Sequence, residues 1–236
     1  MDMTTTAFDA LRGIDVSLLV PLTGSPTHLG HMSVANRASE ALQDIGAIVK
    51  GIFFCLASEE YAQSKASTDR VNLTLKEREE ILQCNIDDAK ECGFFQNIQV
   101  TYYGPETRTG HTGQYDKLQK EFPAHKVLLA AGADLQARMK THWSRRPGFL
   151  AVVVNRGEQT GTNEANCLVV SGQPELGQVS SSKIQKDANQ GKEIEGMGQR
   201  AKHLFQTIVQ QSKSSKILSN GAQTQVTQKP ASCALM

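Results

Sequence analysis

Short runs of unbroken apolar character recur along the chain: VSLLVP (Val16–Pro21), IVKGIFFC (Ile48–Cys55), NIQVTYY (Asn97–Tyr103), KVLLAAG (Lys126–Gly132), FLAVVVN (Phe149–Asn155) and CLVVSG (Cys167–Gly172). A strand with one wet face alternates apolar and polar residues. Continuous apolar runs of this length imply strands buried on both faces, as in a parallel sheet covered by helices. The intervening segments carry a helical period. His31–Ile45 reads as one helix and Thr74–Cys92 as another, with a capping-box spacing at Thr74 and Glu77 and apolar positions at Leu75, Leu82, Ile86 and Ala89. The expected class is therefore α/β, a doubly wound, mostly parallel sheet with flanking helices.

At 236 residues the chain suffices for one such domain, since single domains usually hold roughly 100–250 residues. Residues 1–210 are expected to form it. From residue 211 the composition turns to Ser, Gln, Lys, Thr and Asn, and 211–236 is expected to be a disordered tail. Tyr103–Ala124, rich in Gly, Thr and charge, reads as a long insertion-like loop, and Gly157–Asn166 as a shorter polar connection. With 25 Lys plus Arg against 24 Asp plus Glu, the overall charge gives no reason to expect nucleic acid as a partner, so any anion binding must be local. No apolar run approaches the roughly 20 residues of a membrane span. Five scattered cysteines without a CxxC pair, in a chain whose start MDMTTTAFDALRG lacks a signal-sequence pattern, fit a reduced, intracellular, cytoplasmic protein.

The turn after the first run, Thr23 to His31, carries the most chemistry. In open α/β sheets ligands bind beyond the carboxyl ends of the strands, where N–H groups at a helix start suit phosphate. Gly24 and Gly30 allow close backbone approach, and Pro26 stiffens the loop. His28 and His31 offer N–H donors to phosphate oxygens without a permanent charge. Equally, His28 can cap the loop while His31 packs at the helix start. His-x-x-His without further ligands at metal spacing is a weak zinc signal, and no metal site is expected in the protein itself.

Pro26-Thr27-His28-Leu29-Gly30-His31 resembles the HxGH signature of the nucleotidylyltransferase superfamily. Further segments resemble that superfamily in the expected order. Val49-Lys50-Gly51-Ile52 is similar to a VKGI stretch of the pyridine mononucleotide adenylyltransferases, and Arg78 lies on the helix that carries an arginine. Gly132-Ala133-Asp134 resembles the turn that binds the adenosine ribose, and VSSSKIQ (Val179–Gln185) resembles the ISSTxxR motif. The resemblance spans about residues 15–205 and implies a Rossmann-like fold.

It also implies a reaction: the 5′-phosphate of nicotinamide mononucleotide, or of its nicotinate counterpart, attacks the α-phosphorus of ATP in line, without a covalent intermediate. The products are NAD or deamido-NAD and pyrophosphate. His28 and His31 would be catalytic. Thr23, Gly24, Ser180, Ser181 and Ser182 would cradle the phosphates, with charge from Lys183 or Lys186, and Gly30, Gly132 and Asp134 would bind the adenosine side. Ser25, Lys65, Arg78 and Trp143 would meet the acceptor, Trp143 by stacking on the pyridine ring. With no carboxylate cluster for a two-metal site, Mg²⁺ would enter with ATP. On the residues alone, SSSK is also an ordinary helix cap, Asp134 also an N-cap, and Trp143 also a core residue.

This sequence departs from the family's pattern in two places. Thr23-Gly24-Ser25 replaces the usual Gly-Ser-Phe-Asn before Pro26, and Gln185 replaces the arginine that ends the serine motif, leaving Lys186 as the nearby substitute. These departures keep open another phosphorylated acceptor, or a nucleotide-binding module weakened in transfer. Finally, Cys233-Ala234-Leu235-Met236 fits a farnesylation box. A single prenyl chain on Cys233 would anchor only weakly to a membrane.

Overall fold

The computed structural model describes residues 7–65, 70–105, 110–143 and 146–224. Six strands, β1 (Asp15–Leu22), β2 (Ile48–Leu56), β3 (Gln99–Pro105), β4 (Lys126–Gly132), β5 (Ala151–Val154) and β6 (Cys167–Val170), form one sheet in the order β3-β2-β1-β4-β5-β6. Every neighbouring pair is parallel. The expected runs match these strands, and the reason is visible in their burial: Leu18, Leu19, Leu128, Leu129, Val152 and Val153 are all fully buried, although adjacent residues face opposite sides of the sheet.

Helices α1 (Leu29–Asp44) and α3 (Leu75–Glu91) cover one face, with the short α2 (Glu59–Ser64) between them in sequence. Met32 and Leu82 carry them into a cluster with Leu18, Val20 and Ile52. On α3 the Thr74–Glu77 capping box is formed, with Thr74 N–H donating to the Glu77 carboxylate at 2.7 Å. Helices α4 (Gly110–Glu121) and α5 (Ala133–Trp143) cover the other face, where Tyr115, Leu118 and Trp143 pack with Leu19, Leu129 and Val153. A third cluster joins α3 to α7 (Ser181–Asn189) and α8 (Gln199–Thr224) through Ile81, Ile184, Ala201 and Phe205; a one-turn α6 (Pro174–Gly177) precedes α7.

Two expectations are corrected. Tyr103–Ala124 is not one long loop: β3 extends to Pro105, and α4 occupies Gly110–Glu121. Its apolar stripe is thin, because His111 and Gln114 share the buried face with Tyr115 and Leu118. Helix α8 continues past residue 211 to Thr224. No proline or glycine interrupts it before Gly221, and Lys213 Nζ donates to the carbonyls of Ala188 and Asn189 at the end of α7. Residues 225–236, with Cys233, lie outside the described residues. Among the described residues no helix is long and apolar enough to cross a membrane.

Candidate active site

The strand order reverses direction between β1 and β4, and at the carboxyl ends of these strands lies a cavity of about 780 Å³. From β1 it is lined by Thr23, Gly24 and Ser25, from the start of α1 by His28 and His31, from β4 and α5 by Gly132 and Asp134, and from the start of α7 by Ser180, Ser181 and Ser182. Segments more than 150 residues apart in sequence meet there. Ser181 Oγ donates to the Pro26 carbonyl at 2.8 Å, tying the serine turn directly to the histidine turn. A second tie runs from Leu29 N–H to the Gly196 carbonyl at 2.9 Å.

His28 and His31 cap the start of α1 and also line the cavity. His28 is the N-cap of α1 and is 1% exposed, and its backbone N–H donates to His31 Nδ1 at 3.3 Å. The rings lie 3.9 Å apart, centroid to centroid. Accepting through Nδ1 leaves Nε2 of His31 to carry the ring proton, so the neutral imidazole is an Nε2–H donor. Burial, the neighbouring imidazole and the Arg156 guanidinium hold His28 well below the usual histidine range. Burial and Arg156 push His31 down to about 3. Both rings are therefore neutral donors at pH 7.

Gly30 does not line the cavity. It is a glycine because a Cβ there would come within 2.9 Å of His28 Nδ1 and 3.2 Å of the Leu176 carbonyl. Its contribution is to let the His28 ring and α6 close on the helix start. Gly132 does line the cavity, and a Cβ there would meet Asp134 Oδ1 at 2.6 Å and Arg156 Cδ at 2.9 Å. Asp134 lies 3.5 Å from Arg138 Nη2 and 3.9 Å from Arg156 Nη1, so its carboxylate is held at the rim by two guanidiniums.

Several expected residues are placed elsewhere. Arg78 is fully buried beneath the cavity, where Nη1 donates to the carbonyls of Thr23 at 3.0 Å and Ala57 at 2.8 Å. It fixes the carboxyl ends of β1 and β2 rather than meeting an acceptor. Trp143 is 1% exposed and packs against Phe149. A large ring surrounded by apolar side chains gains more from burial than from a place on the rim. Its Nε1 lies 3.5 Å from Nε2 of His111, and His111 lines the cavity in front of it. Lys183 turns to Asp187 at 3.0 Å and Glu195 at 3.6 Å, and neither it nor Lys186 lines the cavity. Lys65 does line it, over the Tyr61 ring.

The sequence reading missed Arg70, Arg138, Arg156 and Asn85. Arg156 follows β5, and its Nη2 donates to the Val179 carbonyl at 2.6 Å, just before the serine turn. Asn85 is fully buried and donates to the Thr27 carbonyl at 3.1 Å, while its Oδ1 accepts from Gly198 N–H at 3.4 Å. It links the histidine turn to the start of α8. Arg138 pairs with Asp134 one helical turn away, whereas nothing local marks Arg70, Arg156 or Asn85, each of which is defined by a partner far away in sequence. Among the described lining residues Lys65, Arg70, Arg138 and Arg156 face a single carboxylate, Asp134. Positive charge that the chain's balanced total hides is thus concentrated among these lining residues. No group of three or more metal-ligating side chains occurs among the described residues.

No family model matches the sequence, and no curated protein matches it. Among solved structures the chain is similar to Plasmodium falciparum nicotinic acid mononucleotide adenylyltransferase complexed with APC, with a TM-score of 0.53 and 14% identity, covering 76% of this chain and 86% of that one. At that identity the likeness is one of fold: six parallel strands with helices on both faces in a Rossmann-like α/β arrangement.

Proposed function

We propose that the chain is a nucleotidylyltransferase that joins the adenylyl group of MgATP to a phosphorylated acceptor, a pyridine mononucleotide first among them, with release of pyrophosphate. The observation that carries this reading is the convergence of His28, His31 and Ser180–Ser182 on one cation-rich cavity at the strand-order reversal. In-line displacement at phosphorus asks the protein for alignment and charge stabilisation rather than covalent chemistry. Neutral imidazole donors fit that demand, because their hydrogen bonds strengthen as charge develops on the transferring phosphoryl oxygens.

On this reading Gly132 and Asp134 receive the adenosine side, and the segment with Lys65 and His111 faces the acceptor. Mg²⁺ belongs to the substrate: Asp134, the one lining carboxylate among the described residues, is already engaged by two arginines, so phosphate and water oxygens would supply the coordination. The similarity to an adenylyltransferase solved with APC supports the same assignment. The test is purified protein with MgATP and a panel of acceptors, including both pyridine mononucleotides, scored for pyrophosphate and dinucleotide. Dinucleotide formation with a pyridine mononucleotide is expected. Calorimetric binding of ATP without pyrophosphate release for any acceptor overturns transfer and leaves a nucleotide-binding module.

A further inference from the structure

Gln185 is 1% exposed and does not reach the cavity. Its carboxamide pairs twice with the backbone of Val71: Nε2 donates to the Val71 carbonyl at 3.1 Å, and Oε1 accepts from Val71 N–H at 3.0 Å. A side-chain amide that satisfies both polar groups of one residue fixes that residue much as a neighbouring strand does. Val71 and Leu73 are buried in the same cluster as Ile184, so the segment 70–73 is bound to α7 by apolar contact as well.

Arg70 is the residue next to this clamp. Its Nη2 donates to Ser182 Oγ at 2.8 Å, in the first turn of α7 and on the cavity wall. Of the cavity's cations, Arg138 and Arg156 face Asp134, and Lys65 lies over Tyr61. Arg70 has a neutral hydroxyl as its partner, and among the described residues no carboxylate pairs with it. Its charge also stands at the positive end of a helix, an arrangement that an anion between the two relieves. The guanidinium fork matches two phosphate oxygens in a way that a lysine cannot.

We infer that Arg70 binds the distal phosphates of the triphosphate and that Gln185 is its positioning residue, acting through Val71. This rests on the nucleotide-transfer reading above and adds to it how the chain distinguishes a triphosphate from a monophosphate. The inference predicts a selective effect. Arg70→Ala should weaken ATP binding by roughly 10- to 100-fold, the range of a charge-assisted pair, with AMP binding unchanged. Arg70→Lys should restore part of the loss. Gln185→Ala should act in the same direction but less, and the double variant should be no worse than Arg70→Ala, because both changes remove one interaction.

Calorimetric titration of the full chain and its variants with ATP, AMP and inorganic tripolyphosphate tests this. Thermal melts accompany each variant; where Gln185→Ala does not fold, Gln185→Glu, which retains the acceptor for Val71 N–H, takes its place. Equal losses for ATP and AMP, no loss in Arg70→Ala, or additive losses in the double variant overturn the inference. A wild-type chain that transfers adenylyl groups while Arg70→Ala binds ATP normally overturns this inference alone. One that binds ATP and tripolyphosphate through Arg70 without transfer overturns the transfer reading alone, and one that binds neither overturns both.

Discussion

At the histidine end of the cavity, each of the two turns carries a capping bond that closes within a few residues: His28 N–H meets His31 Nδ1, and Ser180 Oγ accepts from Lys183 N–H. At the opposite end, Lys65, His111 and Arg138 arrive from three separate stretches of chain, and two residues expected there, Arg78 and Trp143, are buried beneath the surface. The difference is one of range. A strand-to-helix turn sets its own side-chain directions through local hydrogen bonds, so a short motif carries its geometry with it. A surface assembled from α2, α4 and α5 has no such local rule, and a side chain's position there depends on what packs behind it.

The largest expected effect is at the local end. His31→Ala should lower turnover of ATP plus mononucleotide by ~10²-fold or more, as loss of a transition-state donor does, with nucleotide affinity changed far less. Steady-state pyrophosphate release measures it, and unimpaired turnover would break the contrast by showing the histidines to be caps alone.

Next comes Arg78, whose two carbonyl partners at Thr23 and Ala57 would be stranded in Arg78→Met. Urea denaturation should show a loss of about 3 kcal/mol, since buried carbonyls without partners are costly. A variant of unchanged stability with a raised KM for the acceptor would instead return Arg78 to the acceptor surface.

The smallest effect concerns pH. The folded value of His31 is about 3 against 6.5 for an ordinary histidine, so the unfolded chain binds a proton that the folded chain refuses. Stability from this group is complete above the unfolded value and lost as pH falls through the window between the two. The loss should reach about 2 kcal/mol at pH 5. His31→Gln, which cannot titrate, should flatten the unfolding free energy between pH 7 and pH 5 by that amount. An identical pH slope in the variant and the wild type would place the His31 ring in water.

The positions of the strands were legible because two-sided burial forces an unbroken apolar run, and each observed strand falls within or close to such a run. Helix α4 was hidden because its buried face includes His111 and Gln114, which no apolar period reveals. Among site residues, the turns with His28, Ser181 and Gly132 could be located from short patterns, whereas Arg156, Asn85 and Arg70 could not. Lys183 carried the right charge at the right place in sequence, and its side chain went to Asp187 one helical turn away instead.

The chain's local chemistry thus determined a parallel α/β sheet and the turns at its carboxyl edge, because hydrophobic period and helix-capping residues act over a few positions. Tertiary structure alone decided that the serine turn meets the histidine turn through Ser181 and Pro26, and that Gln185 holds Val71. It also decided that Arg70 stands beside Ser182 on the cavity wall. Those outcomes depend on close contacts between segments more than 100 residues apart, and a contact of that kind leaves no periodic trace in either segment.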